Sequence, residues 1–332
     1  MTRVEEAWET RRPLLPELAL IAATAAYGST FVLMQDALER VSAVGLIFMR
    51  FTVGAAVLAP LAIAQGWRRP GPAGTAETER SFLRAAAVFG VVGFIGYWFQ
   101  NTGLERTTTS NSAFITGLFV VFTPLVETVA RRRFPPRNVL VAVAVCVVGL
   151  FFLTGAQLSM NTGDRLTVGC ALFFGIWVYL GGTYSQRFQP IALTTAQMAV
   201  FALLALPFTV MQGIGRIDTL VVVAVLVTGV VCSAGAFTIQ LWGQRFVEPS
   251  RAAVILLFEP IVAGVVGYAV GERLGVSGYF GAAIILGGIL LAESRSWRTR
   301  ASDGRPRPLG LTPGERADDN DAPFTTSEEE PA

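Results

Sequence analysis

The chain has no histidine and no lysine; all 26 of its basic residues are arginine. Without histidine there is no Ser-His-Asp or Cys-His triad, no His-ligated zinc and no His-ligated haem. An arginine-only basic set reflects codon bias in a GC-rich genome and points toward a bacterium. Cysteine is scarce as well. Cys146, Cys170 and Cys232 each lie in an apolar run, their number is odd, and no C-x-x-C occurs, which argues against a disulfide framework or a Cys-metal site. Charge is thin: 15% of the 332 residues are charged, against about 25% in soluble domains. Hydrophobic residues make up 52% and the mean hydropathy is +0.54. This is the composition of a membrane protein, and nothing in it points to a nucleic-acid partner.

Long apolar runs are what the sequence has in place of charge. A helix needs about 20 mostly apolar residues to cross about 30 Å of hydrocarbon. Ten runs meet that need, at roughly 17–36, 43–64, 83–103, 111–130, 138–155, 167–186, 191–212, 219–240, 250–270 and 275–293. The connections are short and leave no room for a soluble catalytic domain, so no enzyme is expected and the function must lie in the bundle. Arginine sets the orientation, because cytoplasmic loops are enriched in it. With the N-terminus inside, inside segments hold 20 arginines and outside loops 5, with Arg50 left within the second span. Both termini are therefore expected in the cytoplasm. Signal-peptide cleavage is not expected, because the first apolar run continues to Met34. Residues 1–16 form a short cytoplasmic segment. Residues 295–332 are polar, Pro-rich and close on Glu328-Glu329-Glu330, the composition of a disordered cytoplasmic tail.

The sequence also repeats itself. FQNTGLERTTTS (99–110) aligns with IQLWGQRFVEPS (239–250), so that Gln100, Gly103 and Ser110 meet Gln240, Gly243 and Ser250. FTP (122–124) meets FEP (258–260) after a slip of four residues. Five spans per copy is an odd number, so the second copy enters the membrane from the opposite side. Inverted repeats of this kind recur in secondary transporters, with the substrate site near the midplane where the copies meet.

Several stretches resemble the EamA-domain family of the drug/metabolite transporter superfamily. They are YGSTFV (27–32), MRFTVGA (49–55), TTTSNSAFITGLFVVFTPL (107–125), SRAAVILLFEPIVAGVVGYAVGERLG (250–275) and GYFGAAIILGGILLAE (278–293). The resemblance covers roughly residues 17–294. It implies an all-α membrane protein of ten transmembrane helices, built as two inverted five-helix repeats over 17–156 and 157–294. It also implies movement of small metabolites or drugs, often outward; the membrane expected is the bacterial inner membrane. One departure stands out. The first repeat carries Arg131-Arg132-Arg133 in place of Glu-Arg, and Thr123 where the second has Glu259, so any central site is asymmetric.

Glu259 and Pro260 sit side by side in the middle of the ninth apolar run. A carboxyl near the midplane costs about 2.5–3.5 kcal/mol on insertion scales, so it should face protein or a water-filled cavity. Pro260 has no N–H, which frees the carbonyl of Leu256 and kinks the helix. The pair reads either as a proton-coupling or substrate contact, or as a structural kink whose carboxyl bonds to a neighbouring helix. Pro124 is its counterpart, and the two prolines are candidate hinges. Arg50 could hold an anionic substrate group, pair with an acid, or snorkel to the headgroups. Tyr27, Gln100, Asn111, Trp177 and Gln240 are candidate cavity-lining residues, although each could equally serve helix packing. Glu127 reads as an i,i+4 partner of Arg131. GVVGFIG (90–96) lacks the Lys-Ser/Thr of a phosphate loop, and its glycines at every third position instead allow close helix packing. No nucleotide-binding unit or other cofactor site is evident.

The expected function is secondary transport by alternating access, exporting a small metabolite, an amino-acid-like compound or a drug, with proton antiport through Glu259 as one coupling scheme. A translocator of lipid-linked or amphiphilic intermediates would use the same fold, and a non-transporting membrane scaffold is the bland alternative.

Overall fold

The structure, a computed structural model, describes residues 14–65, 76–104, 106–107, 109–155, 161–269 and 275–303. Among these residues the regular elements are helical apart from one antiparallel bridge, Val41–Gly215. The first half contains α1 (Leu15–Ser29), α2 (Phe31–Leu38), α3 (Ala43–Ala64), α4 (Ala76–Leu104), α5 (Thr109–Gly117), α6 (Phe119–Arg131) and α7 (Arg137–Thr154). The second contains α8 (Thr162–Ser185), α9 (Pro190–Gln212), α10 (Thr219–Val227), a π-helical segment (Thr228–Ala236), α11 (Phe237–Gln244), α12 (Pro249–Leu256), α13 (Phe258–Ala269) and α14 (Val276–Asp303).

Seven helical segments among the described residues are long and apolar enough to cross a membrane. Two further apolar helices, Arg137–Leu153 and Val276–Ala292, are shorter. The expected first span is divided between α1 and α2. The outer surface carries exposed Leu61, Leu83, Leu203 and Val210, the reverse of a soluble protein and the surface that lipid tails require. The chain is thus a multi-pass helical membrane protein.

Three of the expected spans are broken, and each break has a local cause. Between α1 and α2, the hydroxyls of Ser29 and Thr30 donate back to the carbonyls of Ala26 (2.9 Å) and Tyr27 (3.0 Å) just after Gly28, a combination that kinks helices. Between α12 and α13, Leu257 N–H turns to Val254 O at 3.2 Å, because Pro260 cannot bond to Leu256. Between α5 and α6 the break falls at Leu118, directly after Gly117, and Val121 N–H bonds to Leu118 O at 2.8 Å. Pro124, the expected hinge of that span, lies inside an unbroken α6, six residues past the break. At the far end, α14 continues to Asp303, beyond the expected start of the tail at 295. Residues 295–303 contain no glycine or proline; Gly304 and Pro306 follow. The rest of the tail and residues 271–273 lie outside the described residues.

The two halves pack reciprocally. The helices of the second expected span in each half pair with each other (α3 with α9), and so do those of the fifth (α7 with α14). The helix of the third expected span, α4, packs on that of the sixth, α8; likewise α11 and the π segment pack on α1. Glycines allow the close approach between α4 and the second half. A Cβ on Gly90 would lie 2.6 Å from Val200 Cβ, and one on Gly93 2.5 Å from Phe201 Cζ. The run GVVGFIG is therefore a packing face, as its spacing suggested. Leu20, Phe51, Phe89, Trp177, Met198, Phe201 and Phe237 are buried in one continuous core contributed by both halves.

Candidate functional site

The breaks in α1–α2 and α12–α13 meet. A Cβ on Gly28 would lie 2.6 Å from the Glu259 carbonyl oxygen, so the two backbones touch where α1 is about to end and α13 begins. The π-helical segment lies against the same place. Its Cys232 thiol approaches Thr30 Oγ1 at 3.1 Å and Ala26 O at 3.4 Å. Three irregular backbones thus meet near mid-bundle, and irregular backbone of this kind is tolerated at depth only where protein or a cavity surrounds it. π-Bulges are also frequent at functional sites.

Arg50, on α3, reaches into this junction and is only 5% exposed. Its Nε–H donates to Ser233 Oγ at 2.8 Å, and Nη1–H points at Met34 Sδ at 3.2 Å. The guanidinium carbon lies 5.0 Å from the Phe51 ring centroid and 5.8 Å from that of Tyr97, within cation–π range. Among the described residues no carboxylate pairs with Arg50; the ion pairs present involve Arg40, Arg131 and Arg251. Arg50 therefore does not snorkel, and its direct contacts are a hydroxyl, a thioether and two rings. Glu259 is half-buried in the first turn of α13. It lies within electrostatic range of Arg50, with Tyr27, Tyr97 and Cys232 grouped around the two.

The other expected residues divide. Tyr27 O–H donates to Gln240 Oε1 at 2.8 Å, joining the two halves at the edge of the same junction. Trp177 Nε1–H donates to Gln197 Oε1 at 3.1 Å, and its ring stacks on Phe89 at 5.4 Å and 7°. Its indole N–H is thus already engaged. Gln100 is half-buried near the end of α4 and is not hydrogen-bonded to Tyr27, Gln240 or Trp177. Asn111 belongs to α5, but its side chain lies outside the described residues. Ser233, Met34 and Gln197 were missed by the sequence reading. Each is an ordinary residue in an apolar run, with no motif to single it out.

The centre is filled by rings. Phe51 meets Phe201 at 4.5 Å and Tyr97 at 5.4 Å, and Trp177 meets Phe237 at 5.3 Å. Such a junction can hold a cation or amine against Glu259, an anion against Arg50, and an apolar body against the rings.

Each end of the bundle carries contacts between the halves. At the arginine-rich end, Glu127 on α6 accepts the Ser250 N–H at 3.1 Å and also its hydroxyl, while Arg131 lies 3.4 Å from the same carboxylate. Glu127 is therefore more than an i,i+4 partner. It is an acidic cap on the N-terminus of α12, where the helix dipole favours a negative charge. Beside it, Arg251 pairs with Glu17 at 3.4 Å. Burial first, and then repulsion from Glu127, push the Glu248 carboxyl up from its ordinary value, against the attraction of Arg251 and Arg131. At the opposite end, Ser42 Oγ–H donates to Gly213 O at 2.8 Å, and Arg40 Nε lies 3.1 Å from Asp218. Asp218 caps α10 by accepting the Val221 N–H at 3.0 Å. That bond, the largest influence, holds its carboxyl below the ordinary value against the opposing effect of burial, and Arg40 and Arg216 add to the lowering.

Fold and junction together describe a two-repeat, multi-pass membrane protein with a charged centre. The model of the EamA-like transporter family matches residues 14–155 and 161–293, and the chain belongs to that family. A protein of Archaeoglobus fulgidus described as an uncharacterized transporter is 30% identical over 284 residues, covering 85% of this chain and 87% of its own. A second protein of that organism with the same description is 28% identical over 160 residues, 48% of this chain and 56% of its own. A crystal structure superposes with a TM-score of 0.68 over 85% of this chain and 98% of its own. At 16% identity it supports the fold alone.

Proposed function

We propose that the chain is a secondary transporter of the bacterial inner membrane that exports a small metabolite, an amino-acid-like compound or a drug by alternating access. In this reading ten spans form two inverted repeats, 17–156 and 157–294, with both termini in the cytoplasm. The junction of Arg50 and Glu259 is the substrate and coupling site, with Tyr27 and Gln240 at its edge. Pro260, three residues past the break at Leu257, marks one flex point; Gly117-Leu118 rather than Pro124 marks the other.

The observation that carries the reading is Arg50. A buried guanidinium with no paired carboxylate is costly, and within a membrane such a group by default marks a substrate or ion path. Reciprocal packing of the halves and the cross-repeat contacts at both ends suit a rocking motion about that site. Among the described residues Glu259 is the carboxyl grouped with Arg50, and a carboxyl there can exchange a proton for a substrate cation. The packed rings suit an occluded state.

The test is a mass-spectrometric profile of spent medium from cells expressing the wild type or Glu259→Gln at equal membrane levels. A compound that accumulates only with the wild type supports export through Glu259. Equal accumulation in both keeps export and returns the glutamate to a structural role. No difference from empty vector counts against export and favours the scaffold or an amphiphile-carrying role.

A further inference from the structure

A cavity of about 800 Å³ opens away from the central junction, where the start of α4 meets the α8–α9 link. Arg80 and Arg84 approach it from α4, and Arg187 from the residues just past α8. Spaced i,i+4, Arg80 and Arg84 lie on one helix face and repel each other. Among the described residues none of the three forms an ion pair, whereas Arg40, Arg131 and Arg251 do. Glu79, the neighbouring acid on α4, does not line the cavity. Ser81 and Tyr184 add hydroxyl groups to the lining. The cavity therefore concentrates positive charge and hydrogen-bond donors in a recess, the requirement of an anion that is both charged and rich in acceptor oxygens.

The walls decide which anion. Phe188 lines the cavity, held edge-on by Phe82 at 5.4 Å within a small buried cluster of its own. Val88 lines the cavity too, and with Val91, about one turn further along α4, it forms an exposed apolar stripe. A free phosphate would use the arginines and leave the stripe uncovered. A phospholipid would use both, with its headgroup in the recess and its acyl chains on the stripe. Basic pockets between membrane helices at the cytoplasmic side suit anionic headgroups in this way. By the arginine distribution this end of the bundle faces the cytoplasm.

We infer that this cavity is a binding site for an anionic phospholipid, with Arg80, Arg84 and Arg187 holding the phosphate. The site lies apart from the Arg50–Glu259 junction and needs no transport activity to be seen.

The test is native mass spectrometry of the full chain in detergent, titrated with phosphatidylglycerol or phosphatidylcholine, with inorganic phosphate and glycerol 3-phosphate as competitors. Phosphatidylglycerol should stay bound at activation that strips phosphatidylcholine. Its apparent affinity should fall about 5-fold for each charge removed in Arg84→Gln and in the Arg80→Gln, Arg84→Gln, Arg187→Gln triple variant. Millimolar phosphate or glycerol 3-phosphate should not displace it. Equal retention of the two lipids, or a folded triple variant that binds like the wild type, would overturn the inference. Displacement by the free anions would assign the recess to a soluble phosphate compound and overturn it equally. Should the triple variant fail to fold, two measurements decide. The wild-type affinity for phosphatidylglycerol should drop with rising salt, and Arg84→Lys should retain binding; a salt-independent affinity would sink the proposal.

Discussion

Arg50 donates its Nε–H to Ser233 Oγ at 2.8 Å, so a charge from the first repeat is held by the π-helical turn of the second. The two repeats therefore share one charged centre, and neither can move without changing how that charge is held.

Ser233→Ala should weaken this grip while leaving the guanidinium in place. A hydrogen bond to a charged group contributes about 1.5–3 kcal/mol, so transport of an anionic substrate should fall by roughly ten-fold or more, mainly as a rise in KM. Arg50→Gln should abolish it, whereas Arg50→Lys should keep partial activity. Efflux from loaded vesicles measures all three; full activity in Arg50→Gln would remove Arg50 from the site.

Cysteine pairs should separate motion from static packing. A disulfide or short crosslink between positions 127 and 250 would fasten the arginine-rich end, and one between 42 and 213 the other. Each should stop transport by itself and release it on reduction. Unimpeded transport with either end fastened would argue against rocking of the repeats.

Gly28 touches the Glu259 backbone, and a backbone cannot step aside as a side chain can. Gly28→Ala should cost about 1–3 kcal/mol of stability through overpacking and should lower transport by forcing α1 away from α13. Gly287 has nothing within 4 Å of a Cβ, so Gly287→Ala should melt like the wild type. Thermal unfolding in detergent compares them.

Asp218 and Glu248 should impose opposite pH dependences. The folded state holds Asp218 below its ordinary 3.8, so its contribution is present above that value and is lost as the pH falls through the folded one. The folded state holds Glu248 above its ordinary 4.5. Its contribution is therefore present below 4.5 and lost as the pH rises through the folded value. Melting temperatures across the acid range should flatten on the low side in Asp218→Asn and on the high side in Glu248→Gln. A wild-type profile unchanged by both substitutions would remove either carboxyl from the balance.

Much of this was legible beforehand. Apolar runs about the length of a bilayer crossing announced the helices, because in lipid each backbone group must be satisfied within its own helix. The Gly90, Gly93 and Gly96 face was likewise visible as spacing, since a missing side chain at every third residue has one simple use. Pro260 announced a break in its helix because the missing N–H is a local property. Pro124 did not behave alike. It sits inside an intact α6, and the break there follows Gly117, so the same residue type is tolerated in one place and disruptive in another according to what surrounds it.

The sequence by itself determined the class of protein, its two-fold repetition and its family, all of which rest on composition, periodicity and local motifs. Only the tertiary structure decided the partners. Nothing near Arg50 in sequence announces Ser233, nothing near Glu127 announces Ser250, and Arg187 is far from Arg80 and Arg84. These groupings bring together residues more than 100 positions apart, and helix packing angles and breaks that no local pattern encodes determine them.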